Sequence, residues 1–329
     1  MMERRAPFLR SDDRTSRHHI DLLIALTPTL VLPVLYYGWR PVILVLVGIL
    51  SALLFECIGC LFMGRKPTVG DGGAAATGAL IGSLMSPLCP YWMPFLGAAF
   101  AILVVKLPFG GTGRYLFSPT AAALAVLTSC WPHRLFTYPA LHTTLPLTME
   151  VPLDTVVTET SPAGQLFRGA YTVYDSTTLL MGMIPGPIAA TGVLVLLAAS
   201  VYLFIRHSAF LSVTVPYIVA CVSMAILFPR VEGSWQASVV MELGSGYLLF
   251  AGIFLLNSCI TPRSRPGKVL YGLLAGVLVM LLRYFGQYEE GVCFAILLVN
   301  ALAPLVDRYG WHLQAFLLRR RARKEVQTL

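Results

Sequence analysis

Charged residues are scarce in this chain of 329 residues. Asp, Glu, Lys and Arg make up 12% of it, whereas soluble domains carry about 25%. Hydrophobic residues make up 57%, and the mean hydropathy is +0.74. The chain also lacks a nicotinamide-binding glycine fingerprint and a cysteine set suited to an iron–sulfur cluster. The composition therefore predicts an integral membrane protein, and we predict no catalytic residue and no metal site.

The seven cysteines do not indicate a disulfide framework, because most of them lie inside apolar runs, where free cysteine behaves as a small hydrophobe. Cys57 and Cys60 form a CxxC and would share one helix face. Their surroundings, LLFECIGCLF, offer no partner ligands. Packing is therefore the predicted role of this pair.

Ten apolar runs are candidates for transmembrane helices, since a hydrocarbon core of about 30 Å needs about 20 helical residues. The first run is long enough to span and follows a polar segment, so no removable signal peptide is expected. The third and fifth runs are short for a full crossing. The predicted cores are 20–38, 41–63, 72–87, 91–107, 117–132, 187–205, 208–228, 239–258, 267–283 and 290–307.

Basic residues give the chain a predicted orientation, because cytoplasmic loops collect Lys and Arg. With the N-terminus inside, all but five of the 24 basic residues fall on the cytoplasmic side. The run RRRARK at 319–324 follows the last span, so it is expected to bind anionic lipids rather than nucleic acid. Both termini are predicted to be cytoplasmic. The five outer residues are Arg40, Arg134, Arg168, Arg230 and Arg283.

The order of spans predicts an all-α polytopic fold with two five-helix repeats of opposite orientation. GALIGSLMSP at 78–87 and GIFLLNSCITP at 252–262 are corresponding small-residue spans that end in a polar residue and Pro. An odd number of spans inverts the second copy, and such interruptions meet near the midplane around a polar cavity. The predicted segments are the tail 1–19, repeat 20–132, external loop 133–186, repeat 187–307 and basic tail 308–329.

Four segments resemble the D subunit of the ion-translocating Rnf electron-transport complexes. They are GDGGAAATGALIGSLMSP (70–87), YWMPFLGAAFAILVVK (91–106), FGGTGRYLFSPTAAAL (109–124) and the run 266–309. The B subunit of the sodium-translocating NADH:quinone reductase, a relative, fits less closely.

This resemblance implies one subunit of a six-subunit complex in the bacterial inner membrane, not catalytic alone. The complex would exchange electrons between ferredoxin and NAD and move Na⁺ or H⁺. A flavin transferase would join FMN through a phosphoester to a Thr on the outer side, and a partner subunit would carry a second flavin. The resemblance also allows non-covalent riboflavin in the cavity between the halves.

The attachment pattern of that family, Asp-x-x-Ser-Gly-Ala-Thr, aligns with residues 154–160 in the external loop. The spacing from Asp154 selects Thr160, whereas counting back from Pro162 selects Ser161. Three residues before Thr160 depart from the pattern. FMN on Thr160, FMN on Ser161 and no covalent flavin therefore all stay open, and TETSP without the resemblance indicates only an external turn.

Acids and polar residues near the spans are candidates for an ion path, because a charge in the membrane interior must face protein or water. Each has a structural alternative. It is helix capping for Asp71, a buried ion pair for Glu56 and Glu242, and interhelical packing for the polar residues of LLNSCITPR. Relatives tend to carry an acid near Ser258. The full set is Glu56, Asp71, Glu242, Asn257, Ser258 and Thr261.

The alternative function is an inverted-repeat transporter or channel for a small solute, without a redox cofactor and with the external loop as a lid. A yellow-green fluorescent band in a denaturing gel under ultraviolet light would favour the flavin-bearing subunit. A colourless band would favour the transporter.

Overall fold

The computed structural model describes residues 12–64, 69–169, 174–231, 234–257 and 260–327, and these are mostly helical. Fifteen α-helices occur in the described residues, and π-helical segments Phe100–Lys106 and Ala251–Leu255 continue α5 and α13. Their bounds are α1 Asp12–Leu26, α2 Val31–Tyr37, α3 Arg40–Phe62, α4 Gly73–Ser83, α5 Trp92–Ala99, α6 Pro119–Cys130, α7 Pro132–Leu135, α8 Pro162–Arg168, α9 Ser176–Met181, α10 Val193–Ile205, α11 Leu211–Leu227, α12 Trp235–Gly244, α13 Tyr247–Phe250, α14 Arg265–Phe285 and α15 Val292–Gln327.

Four of these stretches are long and apolar enough to cross a membrane, namely Ser16–Tyr37, Arg40–Phe62, Arg265–Phe285 and Val292–Phe316. A fifth arises if Trp235–Gly244 and Tyr247–Leu255, bent by 58°, form one broken span. A mostly helical membrane protein with four or five candidate spans is therefore confirmed. Each of the ten predicted cores contains helix, but several are short, so ten crossings and the inverted repeat stay predictions.

Three of the helices start with a serine N-cap and a proline at the first or second helical position. Ser118, Ser161 and Ser264 each take the N-cap position, and their hydroxyls accept hydrogen bonds from the amides of Ala121, Gly164 and Gly267. Proline then occupies one of the first two helical positions, where no amide donor is needed. This local chemistry explains why the predicted turn TETSP begins α8 instead.

Glycine allows two helix pairs to approach closely. A Cβ on Gly78 of α4 would lie 2.2 Å from the carbonyl oxygen of Gly48 on α3, and one on Gly272 of α14 would lie 2.3 Å from that of Val213 on α11. Any larger residue would force these helices apart. Lipid tails are as apolar as the side chains, so the hydrophobic effect does not hold helices together inside a membrane. Close packing of this kind does so instead.

The external loop is anchored to the ends of the spans. Strand β1 (Tyr138–Pro139) pairs antiparallel with β2 (Thr158–Glu159), with Tyr138 opposite Glu159. Fully buried Arg40 donates from Nε to the carbonyl of Pro87 at 2.9 Å and from a terminal nitrogen to that of Pro146 at 2.9 Å. These bonds join one end of α3 to the external loop.

The contacts between loops agree with the predicted sides of the membrane. At the predicted outer end, the Tyr37 hydroxyl donates to the carbonyl of Pro139 at 3.4 Å. At the predicted inner end, Asp307 accepts a hydrogen bond from the amide of Arg263 at 3.0 Å. Each of these two contacts therefore joins segments that the sequence assigns to the same side.

Candidate functional site

The proposed attachment segment runs from a short 3₁₀ turn to the start of α8. Asp154 lies exposed in the turn Leu153–Thr155, and Thr160 is half-buried between β2 and α8. The carbonyl of Thr160 accepts a long hydrogen bond from the Gln165 amide at 3.4 Å. Thr160 and Asp154 thus lie at accessible positions of one ordered segment.

Ser161 differs from Thr160 because its hydroxyl is engaged inside the protein. Its side chain is only 4% exposed. Its Oγ accepts a hydrogen bond from the Gly164 amide at 3.0 Å and donates one to Oε1 of Glu289 at 3.2 Å. A phosphate on this oxygen would have to displace both partners and uncap α8.

Glu289 lies in the loop between α14 and α15. Its carboxylate packs against α8 at Gly164, which has no side chain to block the approach. A Cβ on Gly164 would lie 2.2 Å from Oε2 of Glu289 and 2.7 Å from Cγ2 of Thr160. Thr160 and Glu289 therefore flank the same point of the α8 backbone. Burial raises the pKa of Glu289 to about 7, although the Ser161 hydroxyl and the charges of Arg283 and Arg168 lower it.

A groove of about 200 Å³ lies beside this contact. Its lining segments are 132–133, 136–137, 167–168 and 287–289, and we call it the outer groove. The side chains of Phe136, Phe167 and Tyr288 make its aromatic lining, and His133, Arg168 and Glu289 its titratable or charged lining. The sequence assigns these segments to the outer side, except Pro132, which is the last residue of the fifth predicted core.

A buried charge cluster supports the helix ends near the outer groove. Nε of Arg283 lies 2.7 Å from Oε2 of Glu242, and a terminal nitrogen donates to Oε2 of Glu290 at 3.0 Å. Another donates to the Ser245 hydroxyl at 3.1 Å, and Arg230 approaches Glu242 at 3.7 Å. Glu242, an ion-path candidate, is thus part of a buried ionic cluster.

Glu56 also belongs to a buried ion pair. Nζ of Lys106 lies 2.8 Å from its Oε1, with the side chains 1% and 0% exposed. Asp71 instead accepts a hydrogen bond from the Gly73 amide at 2.9 Å, and its carbonyl lies 3.3 Å from Nδ1 of His19. Glu56 therefore makes the contact of its structural alternative. Asp71 precedes Gly72, the N-cap of α4, and accepts from the first amide of that helix without being the N-cap itself. Neither contact tests an ion path.

The polar residues after the broken span have different surroundings. The Asn257 amide is satisfied by protein: its oxygen accepts from the Phe210 amide at 2.8 Å, and its nitrogen donates to the Thr214 hydroxyl at 3.0 Å. Thr261 lines a cavity of about 420 Å³. Ser258 lies outside the described residues.

A second, smaller cavity of about 40 Å³ lies between the third and eighth predicted spans. It is large enough for water, which needs about 10–15 Å³. Thr77 of α4 and Asn257 line it, together with His18, His19 and Ser118. The sequence predicts a polar cavity near the midplane, where the spans that end at Pro87 and Pro262 meet. The cavity described here is lined by other parts of those spans, so that prediction stays untested.

The profile of the NQR2, RnfD, RnfE family matches residues 2–313. The chain belongs to this family. It is 28% identical to the D subunit of the proton-translocating ferredoxin:NAD(+) oxidoreductase complex of Clostridium ljungdahlii over 92% of each chain. It is 27% identical to the D subunit of the Na(+)-translocating ferredoxin:NAD(+) oxidoreductase complex of Acetobacterium woodii, again over 92% of each chain. The D subunit of the ion-translocating oxidoreductase complex of Escherichia coli is 27% identical, over 92% of this chain and 95% of the relative.

The family match confirms the resemblance drawn from four short segments, and it covers the external loop as well as both predicted halves. Sequence reasoning nevertheless missed Glu289 as a partner of Ser161. It also used Arg40 and Arg283 only as markers of orientation. A basic residue at the outer end of an apolar span could have indicated a buried polar contact, because lipid does not satisfy its charge and protein groups must.

The fold around Glu289 should lose stability as pH rises, because burial disfavours the charged form of this carboxyl. A carboxyl whose folded-state pKa is raised stabilises the fold below its ordinary value of 4.5, and that contribution is lost as pH rises towards about 7. We expect amide protection around Gly164, relative to an unstructured peptide at the same pH, to fall across this window. Glu289→Gln should remove the dependence, and equal pH dependence in both proteins would contradict this assignment.

Proposed function

We propose that this chain is the D subunit of an ion-translocating ferredoxin:NAD oxidoreductase and carries FMN on the Thr160 hydroxyl. The observation that carries this proposal is the nearly full-length similarity to relatives whose names state that activity. The coupling ion is Na⁺ or H⁺, since the names of the relatives include both. Bound FMN would supply the electron-transfer chemistry, and the protein would supply its position.

The residues of the external loop fit an attached flavin phosphate. Thr160 offers a half-buried hydroxyl at the edge of an ordered loop, accessible to a flavin transferase. Ser161 is a poorer acceptor because its oxygen caps α8 and contacts Glu289. Asp154 is exposed, as a recognition residue for the transferase should be.

The proposal includes the orientation in the bacterial inner membrane, with both termini cytoplasmic and the external loop outside. It also includes two inverted five-helix repeats. Support comes from contacts between corresponding elements: α1 touches α10, and α6 touches α15. Elements that lie beside a two-fold axis contact their counterparts in the other half, as these two pairs do.

The proposed partners are the other subunits of a six-subunit complex, one of them carrying a second flavin, and lipids around the basic tail. A non-covalent riboflavin is also proposed, and the cavity of about 420 Å³ is its candidate position. Among the described residues, nothing accepts a hydrogen bond from the buried Asn300 Nδ2, which lines this cavity. A ligand carbonyl would satisfy it.

Thr160→Val should abolish the flavin fluorescence of the denatured band when the chain is co-expressed with a matching flavin transferase. Valine has nearly the same shape but no hydroxyl, and a loop residue of this exposure contributes little to stability. Peptide mass spectrometry of residues 151–168 gives the modified residue directly. Attachment would also report that the loop is external, where the transferase acts.

Ser161→Ala is the matched control and should keep the fluorescence. It removes the cap of α8, which costs about 1 kcal/mol, but leaves the Thr160 oxygen in place. A modified Ser161 would contradict the spacing from Asp154. A colourless wild-type band would instead favour the transporter.

A further inference from the structure

We propose that the outer groove holds the isoalloxazine ring of the flavin, an inference that rests on the proposed attachment at Thr160. The groove and the attachment residue come together through the register of the two short strands. Tyr138 lies opposite Glu159 in β1 and β2. If this antiparallel register is extended by one residue beyond the ladder, it places Thr160 opposite Thr137, which lines the groove.

Helix α8 joins Thr160 to the other wall of the groove. It begins at Pro162 and ends at Arg168, so its seven residues span about 10 Å. A five-carbon ribityl chain with its phosphate reaches over a comparable length. A flavin joined at the start of α8 can thus set its ring against Phe167 and Arg168.

The third wall is attached to the same segment. Glu289 lines the groove and binds Ser161, the residue after Thr160. Its neighbour Tyr288 stacks on Phe294 of α15, with ring planes 12° apart and centroids 5.8 Å apart. This stacking holds one aromatic wall on a transmembrane helix, so the groove has a rigid side that does not depend on the loop.

The chemistry of the lining suits a flavin ring. Phe136, Phe167 and Tyr288 offer faces or edges to a flat aromatic system, and Arg168 offers a positive charge. A volume of about 200 Å³ is below the roughly 300 Å³ or more of pockets that hold free ligands. A covalent tether removes the need for full burial, because it keeps the ring at high local concentration.

Arg168 is predicted to tune the flavin as well as bind it. A cation near the ring favours the reduced form, in which negative charge accumulates on the ring. Arg168→Gln should therefore lower the midpoint potential of the flavin, whereas Arg168→Lys should stay close to the wild-type value. A merely structural arginine on this exposed helix end would leave the potential unchanged in both variants.

Acrylamide quenching of flavin fluorescence tests the location of the ring. The full chain, co-expressed with the transferase and purified in detergent, would be compared with Phe167→Ala and with Leu147→Ala. Leu147 is exposed on the same external loop but outside the groove. Acrylamide is uncharged, so quenching reports access to the ring rather than local charge, and it is measured per flavin bound.

The quenching constant should rise severalfold in Phe167→Ala and stay at the wild-type value in Leu147→Ala. Equal constants in all three proteins, with Thr160 modified in each, would overturn the groove assignment and leave the proposed function intact. An unmodified Thr160 in the wild-type protein would overturn both. The two failures are therefore distinguishable in one set of samples.

Discussion

Arg283→Met should destabilise the folded chain by about 3–5 kcal/mol, because it removes one partner of a buried ionic cluster. The guanidinium is fully buried and contacts Glu242, Glu290 and the Ser245 hydroxyl. Without it, the carboxylates of Glu242 and Glu290 lose their nearest cation and keep the more distant Arg230. Tryptophan fluorescence would monitor unfolding in SDS, and the quantity compared is the midpoint of unfolding.

Three further variants separate this cause from a general effect of substitution. Arg283→Lys should also destabilise, since an ammonium cannot reproduce the planar fork that reaches three partners. Arg283→Met combined with Glu242→Gln and Glu290→Gln should recover part of the loss. Arg114→Met, at an exposed position, should stay within about 0.5 kcal/mol of the wild type. An Arg283→Met protein as stable as that control would refute the role of the cluster.

The Lys106–Glu56 pair should behave as a coupled unit in a double-mutant cycle. Glu56→Leu and Lys106→Met should each cost about 3–5 kcal/mol, since each removes the opposite charge from beside a buried charge. The double variant should lose much less than the sum, because replacing both charges by apolar groups is often nearly neutral. SDS unfolding of the four proteins gives the coupling energy. Additive losses would contradict a direct interaction.

The double variant also discriminates between the two interpretations of Glu56. Its side chain is fully buried against Lys106, which is compatible with a structural pair and with an ion path. If the folded double variant still supports ion translocation in the assembled complex, the pair is structural. If translocation is lost while the fold and the flavin are retained, Glu56 or Lys106 lies on the path.

Much of the architecture was predictable because the membrane constrains it strongly. A long apolar run must satisfy its backbone internally, so composition and run length alone predict helices. The stretches Arg40–Phe62 and Arg265–Phe285 are continuous helices of spanning length, as this reasoning predicts. The short interrupted segments were harder: the eighth predicted core contains a 58° bend near Gly246, whose φ is +71°. The sequence predicted an interruption at Pro262, after this core, and did not predict the bend near Gly246.

The candidate site was predictable only in part. Asp154, Thr160 and Ser161 were found because an attachment motif is contiguous in sequence. The sequence could not separate Thr160 from Ser161, since adjacent hydroxyls differ only in their surroundings. The difference comes from Glu289, which is 128 residues away in sequence yet hydrogen-bonded to Ser161. No periodicity or spacing relates residues that meet across such a distance.

By itself, the sequence determined that this protein is a helical membrane protein of the NQR2, RnfD, RnfE family, because hydropathy and contiguous motifs are properties of neighbouring residues. Only the tertiary structure decided which carboxylates are paired, which hydroxyl is engaged and where the groove opens. Arg40 and Arg283 illustrate the division. The charge of each indicated a side of the membrane, but its partners come from distant segments that folding brings within hydrogen-bonding distance.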